Sequence, residues 1–253
     1  MRGLTIRTLH YESLPSTNTE LARLAGNGAA EGLCVVAEEQ TAGRGRLQRS
    51  WSSPKGAGLY FSILLQPVIP LRSWPLVTFV AALAVGDALL DAFNLQTDIK
   101  WPNDLLAGER KICGILSETI ETSQGRAAII GIGINLTADA YPSELEGLAT
   151  SVAEETQQSA DREVLLAPLQ KAIAQWYEAL QQHHGDEKIL QAWISRSPYA
   201  NGKMIDVRNG DESFRGITRG LELDGALRVE TQNDGIRIVR AGDVVSVRLS
   251  PGN

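Results

Sequence analysis

The apolar run from Trp74 to Leu90 constrains the fold most. It contains Pro75 and Asp87 and follows Arg72, so it reads as too short and too interrupted to span a bilayer. It is expected as a buried core helix over 75–93. Three runs of branched and aromatic residues read as buried strands: LCVVAEEQ from Leu33 to Gln40, GLYFSILLQP from Gly58 to Pro67, and AAIIGIGINL from Ala127 to Leu136. Between the helix and the last of these lie TDIKWPNDLLA and ERKICGILSETI, a strand pair joined near Ala107 and Gly108.

At the N-terminus a short strand over 4–11 is stopped by SLPSTN. Ser16 or Thr17 can cap the helix that follows, with Glu20 placed as the capping-box partner of Thr17. That helix should run to about Ala25 and end at Gly26. Residues 139–161 are polar, with Pro142 and Gly147, and read as a surface excursion. Two helices are then expected, Asp161 to His183 and Asp186 to Ser195, each opened by an aspartate cap and the first closed by Gly185. SPYANG, Ser197 to Gly202, reads as a linker.

After it the texture changes. KMIDVRN, FRGITRGLEL, ALRVETQ, IRIVRAG and VVSVRL are short alternating strands separated by Asn-Gly, Asp-Gly and Gly-Asp turns. They predict a small β-barrel over 203–253 behind an α+β domain, a mixed β-sheet with flanking helices, over 1–200.

Composition narrows the function classes. Hydrophobic residues at 43% and charged residues at 21% are ordinary for a soluble globular chain. A net charge of −6 argues against broad nucleic-acid binding, which needs a basic face. Cys34 and Cys113 form no CxxC and no metal spacing, so two buried free thiols are expected. The N-terminal stretch has no apolar signal-peptide core, and a cytoplasmic protein is expected. His10, His183 and His184 are poorly placed for a Ser-His-Asp triad or a zinc site, and no GxxxxGK[ST] is present. No metal site built from protein side chains is expected.

Charge distribution points to a site. Between Glu39 and Asp87 there is no acid, yet the interval holds Arg44, Arg46, Arg49, Lys55 and Arg72. Buried elements explain part of that gap. The loop TAGRGRLQRSW, Thr41 to Trp51, is not apolar. Its arginines suit a phosphate or carboxylate, and Gly43 and Gly45 let backbone approach a ligand. A solvated basic turn is the alternative. Lys111 is the second signal: it lies in RKICGILSE among residues that make both strand faces apolar, and on strict alternation shares a face with Cys113, Ile115 and Ser117. Such a lysine needs a compensating anion, unless it lies near an edge, reaches water or pairs with an acid such as Glu118. Gly114 permits close approach of a ligand or backbone. KWPND, Lys100 to Asp104, reads as a rigid turn, with Trp101 and Pro102 as scaffolding and Asp104 or Lys100 at a site mouth. GIGIN, Gly131 to Asn135, lacks the third glycine and the helix of a dinucleotide fingerprint, so it reads as a strand whose glycines allow close packing.

Taken together, STNTE at 16–20, AEEQTAGRGR at 37–46, Trp51, SPKGAGLYFSI at 53–63, KWPND at 100–104, RKICGIL at 110–116 and GIGIN at 131–135 resemble the biotin protein ligase family. They occur in the family's order across most of the first 136 residues. The resemblance implies a biotin–lipoate ligase-like catalytic domain, of the class II synthetase type, followed by an SH3-like barrel. It implies activation of biotin with ATP, and Mg²⁺ beside the phosphates, to give biotinyl-5′-AMP. Transfer to a lysine of a biotin carboxyl carrier protein follows, that of acetyl-CoA carboxylase by default.

By resemblance, Ser16, Thr17 and Asn18 bind the biotin head with Gln40 beside them. Arg44, Gly45 and Arg46 belong to the lid over biotin and the acyl-phosphate, and Gly43, Arg44 and Arg46 meet the adenylate. Lys111, next to Gly114, meets the biotin carboxylate and the α-phosphate, with Lys111 and Arg46 as the catalytic pair. Trp51 and Asn135 hold the adenine. Two departures stand out: Gln48 takes the place of a third lid glycine, and only 15 residues precede STN, too few for the operator-binding domain of bifunctional members. No DNA or membrane partner is expected, and monomer and weak homodimer stay open. Lipoate ligases and a non-catalytic biotin-binding module are the rival readings.

Overall fold

The computed structural model describes residues 3–209, 212–240 and 242–246. The first part of the chain forms β1 (Arg7–Leu14), α1 (Thr17–Gly26), β2 (Leu33–Gln40), β3 (Gly58–Leu65), α2 (Leu76–Phe93), β4 (Asp98–Lys100), β5 (Asp104–Ala107), β6 (Arg110–Thr122) and β7 (Gly125–Asn135). Helices α3 (Val152–Thr156), α4 (Arg162–Leu180) and α5 (Gly185–Ser195) follow. The C-terminal strands are β8 (Asn201–Asn209), β9 (Glu212–Leu221), β10 (Leu227–Thr231), β11 (Gly235–Val239) and β12 (Asp243–Ser246).

Strands β1–β7 form one mixed sheet in the order β1-β2-β3-β7-β6-β5-β4. Only β1 and β2 run parallel, joined through α1; the remaining neighbours are antiparallel. Alternation along the central strands sorts their side chains. Leu59, Phe61, Ile63 and Leu65 of β3 and Ile130, Ile132 and Ile134 of β7 enter one core with α2, α4 and α5. On the opposite face Val35, Leu64, Ala127 and Ile129 meet Leu21 and Ala25 of α1. Helix α1 covers only part of that second face. Beyond Ile129 the same face carries Gly131 and Gly133, and the sheet there is left without a helix.

Helix α2 is the buried element that the apolar run requires, and eleven of its residues are buried. By length and composition alone, Leu71–Phe93 is long and apolar enough to cross a membrane. The length argument against a span therefore falls short. Packing against the sheet, α4 and α5 accounts for the apolarity instead. Each fully buried side chain of this kind contributes about 1.5–3 kcal/mol.

Several local expectations change. Ser16 is the cap of α1, but its side chain makes no capping bond, and there is no capping box. Glu20 instead accepts from Tyr11 and Arg23. TDIKWPNDLLA forms two strands, because Trp101 to Asn103 turn the chain between β4 and β5. Gly185 opens α5 rather than closing α4, packed so tightly that a Cβ would lie 2.2 Å from the Leu180 carbonyl oxygen. The 139–161 excursion is not merely superficial. Lys111 N–H donates to Leu148 and Thr150 N–H donates to Lys111, so residues 148–150 run along the start of β6.

The C-terminal strands form an antiparallel sheet in the order β11-β10-β9-β8-β12. Its edges β11 and β12 do not pair among the described residues, so the small β-barrel expected here is not closed. Residues 247–249 of the last expected strand lie outside the described residues. Ile205, Val207, Leu227 and Val229 join the main core, and Trp101 Nε1 donates to Gly225 at 3.0 Å.

Candidate active site

The uncovered part of the sheet is the floor of an open cleft. Gly114 of β6 and Gly133 of β7 are cross-strand partners, and the Trp51 indole lies across both. A Cβ on Gly133 would sit 2.4 Å from Trp51 Nε1, and one on Gly114 2.9 Å from the same ring. The glycines of GIGIN are therefore space for side chains lying flat on the sheet. A Cβ on Gly131 would come within 2.3 Å of Asn18 Oδ1.

One wall is the N-terminus of α1. Ser16, Thr17 and Asn18 are all buried. Gln40, at the end of β2, accepts from Thr17 N–H at 2.9 Å and lies 3.1 Å from Thr17 Oγ1. Its amide donates to Ser53 at 2.8 Å. Beneath them Ser62 Oγ sits 2.6 Å from Asn18 Oδ1 and 2.7 Å from Thr17 Oγ1, and its single proton serves one of the two. The Asn18 amide is directed to Glu118 at 2.7 Å and to the Leu116 carbonyl at 3.4 Å.

Lys111 arrives on this face through an irregularity. Leu105 pairs with Cys113 but Leu106 pairs with Lys111, which leaves Ile112 as an extra residue in β6. Ile112, Cys113 and Ile115 all enter the core below. Strict alternation is therefore broken, and Lys111 stands beside Gly114 on the cleft side, not with Cys113. Its Nζ would lie 3.3 Å from a Gly114 Cβ and is 5.3 Å from the Trp51 ring centroid. The compensating acid is Asp104, with Nζ and Oδ1 2.7 Å apart, and not Glu118. Behind it, burial pushes the Cys113 thiol well above its usual range, with Lys111 pulling weakly the other way.

The loop folds back on itself as a narrow flap. Arg44 bridges Ser50, Gly45 N–H donates to Arg49, and Trp51 N–H donates to Gly43. Leu47 and Gln48 take φ of 53° and 60°. This left-handed backbone is one that glycine adopts freely and other residues do not. Arg46 lines the cleft and donates to Asn103 Oδ1 at 3.1 Å and to the Gly242 carbonyl at 3.4 Å.

The acid-free stretch does not leave the loop's cations without protein counter-charge. Arg44 makes a two-pronged pair with Glu118, at 2.9 and 2.7 Å. Lys55 lies 3.9 Å from Glu38. These acids precede or follow the acid-free stretch and return to it only through the fold.

Ser16, Thr17, Asn18, Gln40, Arg44, Gly45, Arg46, Trp51, Lys111 and Gly114 all line the cleft, together with Asp104. Gly43 and Asn135 do not. Gly43 is boxed in by the Trp51 carbonyl and Ser53 Oγ, at 2.3 and 2.7 Å from a would-be Cβ. Asn135 is buried and donates to the Thr150 carbonyl at 2.9 Å, so it ties the 148–150 segment to the sheet. Sequence reasoning missed Ser53, Ser62, Asn103 and the role of Glu118. Ser62 carried a signal, a serine inside an otherwise apolar and aromatic strand. The others sit in turns or on a half-exposed face where polar residues are ordinary.

The residues 11–135 match the biotin/lipoate A/B protein ligase family, and 201–246 match the biotin protein ligase C-terminal domain. The chain is 37% identical over 239 residues to the bifunctional ligase/repressor BirA of Bacillus subtilis, covering 93% of this chain and 73% of that one. It is 38% identical over 220 residues to the biotin--[acetyl-CoA-carboxylase] ligase of Paracoccus denitrificans, covering 84% and 89%. The biotin protein ligase from Aquifex aeolicus, solved with biotin and ATP, superposes with a TM-score of 0.82 at 29% identity, covering 96% and 99%. On this fold, this cleft and these relatives, the chain belongs to the biotin/lipoate A/B protein ligase family, within its biotin protein ligases.

Proposed function

We propose that the protein activates biotin with ATP to biotinyl-5′-AMP and transfers biotin to a lysine of a carrier domain. The observation that carries this reading is one cleft that joins a wall of hydrogen-bonding side chains, Ser16 to Asn18 with Gln40, to two cations, Lys111 and Arg46. A neutral ureido head suits the first, and the meeting point of a carboxylate and a phosphate suits the second.

Adenylation brings two anions together: the biotin carboxylate attacks the α-phosphorus and pyrophosphate leaves. Lys111 and Arg46 offset the repulsion and stabilise the charge that develops on the phosphoryl oxygens. Lys111 acts electrostatically rather than as a nucleophile. Its contact with Asp104 holds the ammonium over the glycine floor until an anionic ligand takes up that charge. Trp51 and the flap shield the mixed anhydride from water. In the second step the carrier lysine attacks the acyl carbon and AMP leaves.

Mg²⁺ is expected to arrive on the triphosphate. Among the described residues no group of three His, Cys, Asp or Glu side chains gathers to hold a metal, and no step is assigned to a protein-held ion. The Paracoccus and Mycobacterium tuberculosis relatives are named biotin--[acetyl-CoA-carboxylase] ligases. The carrier domain of that carboxylase is accordingly the acceptor we assign.

The test is ATP–pyrophosphate exchange with biotin or lipoate, followed by mass analysis of an added carrier domain. Exchange with biotin alone and a biotinyl mass shift on the carrier are expected. Exchange with lipoate in place of biotin would overturn the substrate; none with either would overturn the activity.

A further inference from the structure

The flap carries three arginines, and they are not used alike. Arg46 lines the cleft and reaches Asn103 at its mouth. Arg44 turns both guanidinium prongs to Glu118, at 2.9 and 2.7 Å. The oxygen that Arg44 Nη2 meets, Glu118 Oε2, is also the one that accepts from the Asn18 amide at 2.7 Å. Asn18 in turn is fixed from the other side by Ser62 at 2.6 Å. An unbroken chain of polar contacts, Ser62–Asn18–Glu118–Arg44, therefore runs from the floor beside β3 through the first turn of α1 to the flap.

We infer that Glu118 is a positioning residue that couples occupation of the Ser16–Asn18 pocket to closure of the flap, with Arg44 as the strut rather than a ligand-binding group. The inference rests on the proposed function, since it assigns that pocket to the biotin head. The physical argument is one of prepayment. A carboxylate on a half-exposed strand face samples several rotamers, and an exposed ion pair must order it before gaining anything. Here the Asn18 amide orders it. A ligand seated against Asn18 immobilises the amide, fixes the carboxylate and presents both oxygens to Arg44 in the fork geometry a guanidinium requires. Linkage makes the effect reciprocal: a closed flap holds Asn18 in place and tightens the head pocket. Arg46, on the same flap, is thereby delivered to the reacting end of the cleft only when the head is seated.

Trypsin reads this directly, because the flap carries its cleavage sites at Arg44, Arg46 and Arg49. Four proteins are compared with and without biotin: wild type, Glu118→Gln, Arg44→Lys and the double variant. Glu118→Gln keeps an acceptor for the Asn18 amide but removes the charge; Arg44→Lys keeps the charge but removes the fork. Wild type is expected to gain protection on adding biotin. Each single variant should lose about twofold to fivefold of that protection, the worth of one exposed, well-aligned ion pair, and the double variant should lose no more than either.

The variants should also raise the biotin KM and shorten the retention of biotinyl-AMP, with the ATP KM and Tm unchanged. Glu121→Gln, on the same strand and paired with the exposed Arg126, should behave as wild type. If wild type exchanges pyrophosphate with biotin but Glu118→Gln is protected like wild type, the coupling is refuted. It is equally refuted if the two substitutions add. If wild type neither exchanges with biotin nor gains protection from it, the functional reading fails, and the coupling falls with it.

Discussion

Replacing Gly131 with alanine puts one methyl group where the head pocket meets the sheet. The added Cβ would sit 2.3 Å from Asn18 Oδ1 and 2.9 Å from Asn18 Cγ. Both contacts are closer than real atoms approach, and Gly131 lies mid-sheet, paired on both sides, so the strand itself cannot retreat. Asn18 must move instead. In doing so it gives up its contacts with Ser62 at 2.6 Å and Glu118 at 2.7 Å. Those contacts contribute about 1 kcal/mol each, and residual overpacking adds about 1–3 kcal/mol, so a total of about 3–5 kcal/mol follows. Falling on the occupied pocket, that weakens biotin by roughly 150-fold to 4,000-fold. The assay is the biotin KM in pyrophosphate exchange, with Tm measured beside it. The contacts with Ser62 and Glu118 are lost without ligand as well, so Tm should drop by roughly 4–8 °C. Gly26→Ala, with open space around its Cβ, is the control and should change neither quantity. A biotin KM within about threefold of wild type in Gly131→Ala would refute the claim that Asn18 forms the head pocket.

Gln48, at a left-handed position in the flap, should tolerate glycine with little change, since relief of φ strain and loss of backbone restraint oppose each other. Valine there, β-branched at φ of 60°, should speed tryptic cleavage of the flap by at least about fivefold, a cost of about 1 kcal/mol; equal rates for the two variants would count against the flap geometry. Burial raises both cysteine thiols above their usual range, so at pH 8 they stay protonated and unreactive to Ellman's reagent until the protein is unfolded in guanidinium. Trp193, fully buried and stacked on Phe79 at 4.7 Å between ring centroids, anchors α5 to α2. Trp193→Ala should cost about 3–5 kcal/mol and lower Tm by roughly 6–20 °C in calorimetry.

Much of this was legible in the sequence, for identifiable reasons. The strands Leu33–Gln40 and Gly58–Leu65 and helix Leu76–Phe93 follow from long, mainly apolar runs, because central strands and core helices are buried on most sides. Lys111 announced itself as a cation that such a strand cannot hold unpaired. The face it occupies did not, because an extra residue at Ile112 shifts the register without any mark in composition. The partners of the flap arginines were hidden for a different reason. Arg44 and Glu118 are 74 residues apart, and only pairing through β7 brings β6 near the flap. A sequence gap in acids is thus not a spatial gap. Asn135 fits the family's pattern, yet its amide is spent on the Thr150 carbonyl, and that bond depends on a segment that reads as superficial.

The central claim is that Lys111 stabilises the junction of the biotin carboxylate and the α-phosphate. Biotin-dependent ATP–pyrophosphate exchange by wild type and Lys111→Ala tests it most directly. Wild type is expected to exchange, and Lys111→Ala to be slower by at least about 100-fold, the usual loss on removing one oriented stabiliser of developing charge. Its Tm should stay within a few degrees of wild type. Full exchange in Lys111→Ala would contradict that role, and no biotin-dependent exchange in wild type would contradict the reading of the site.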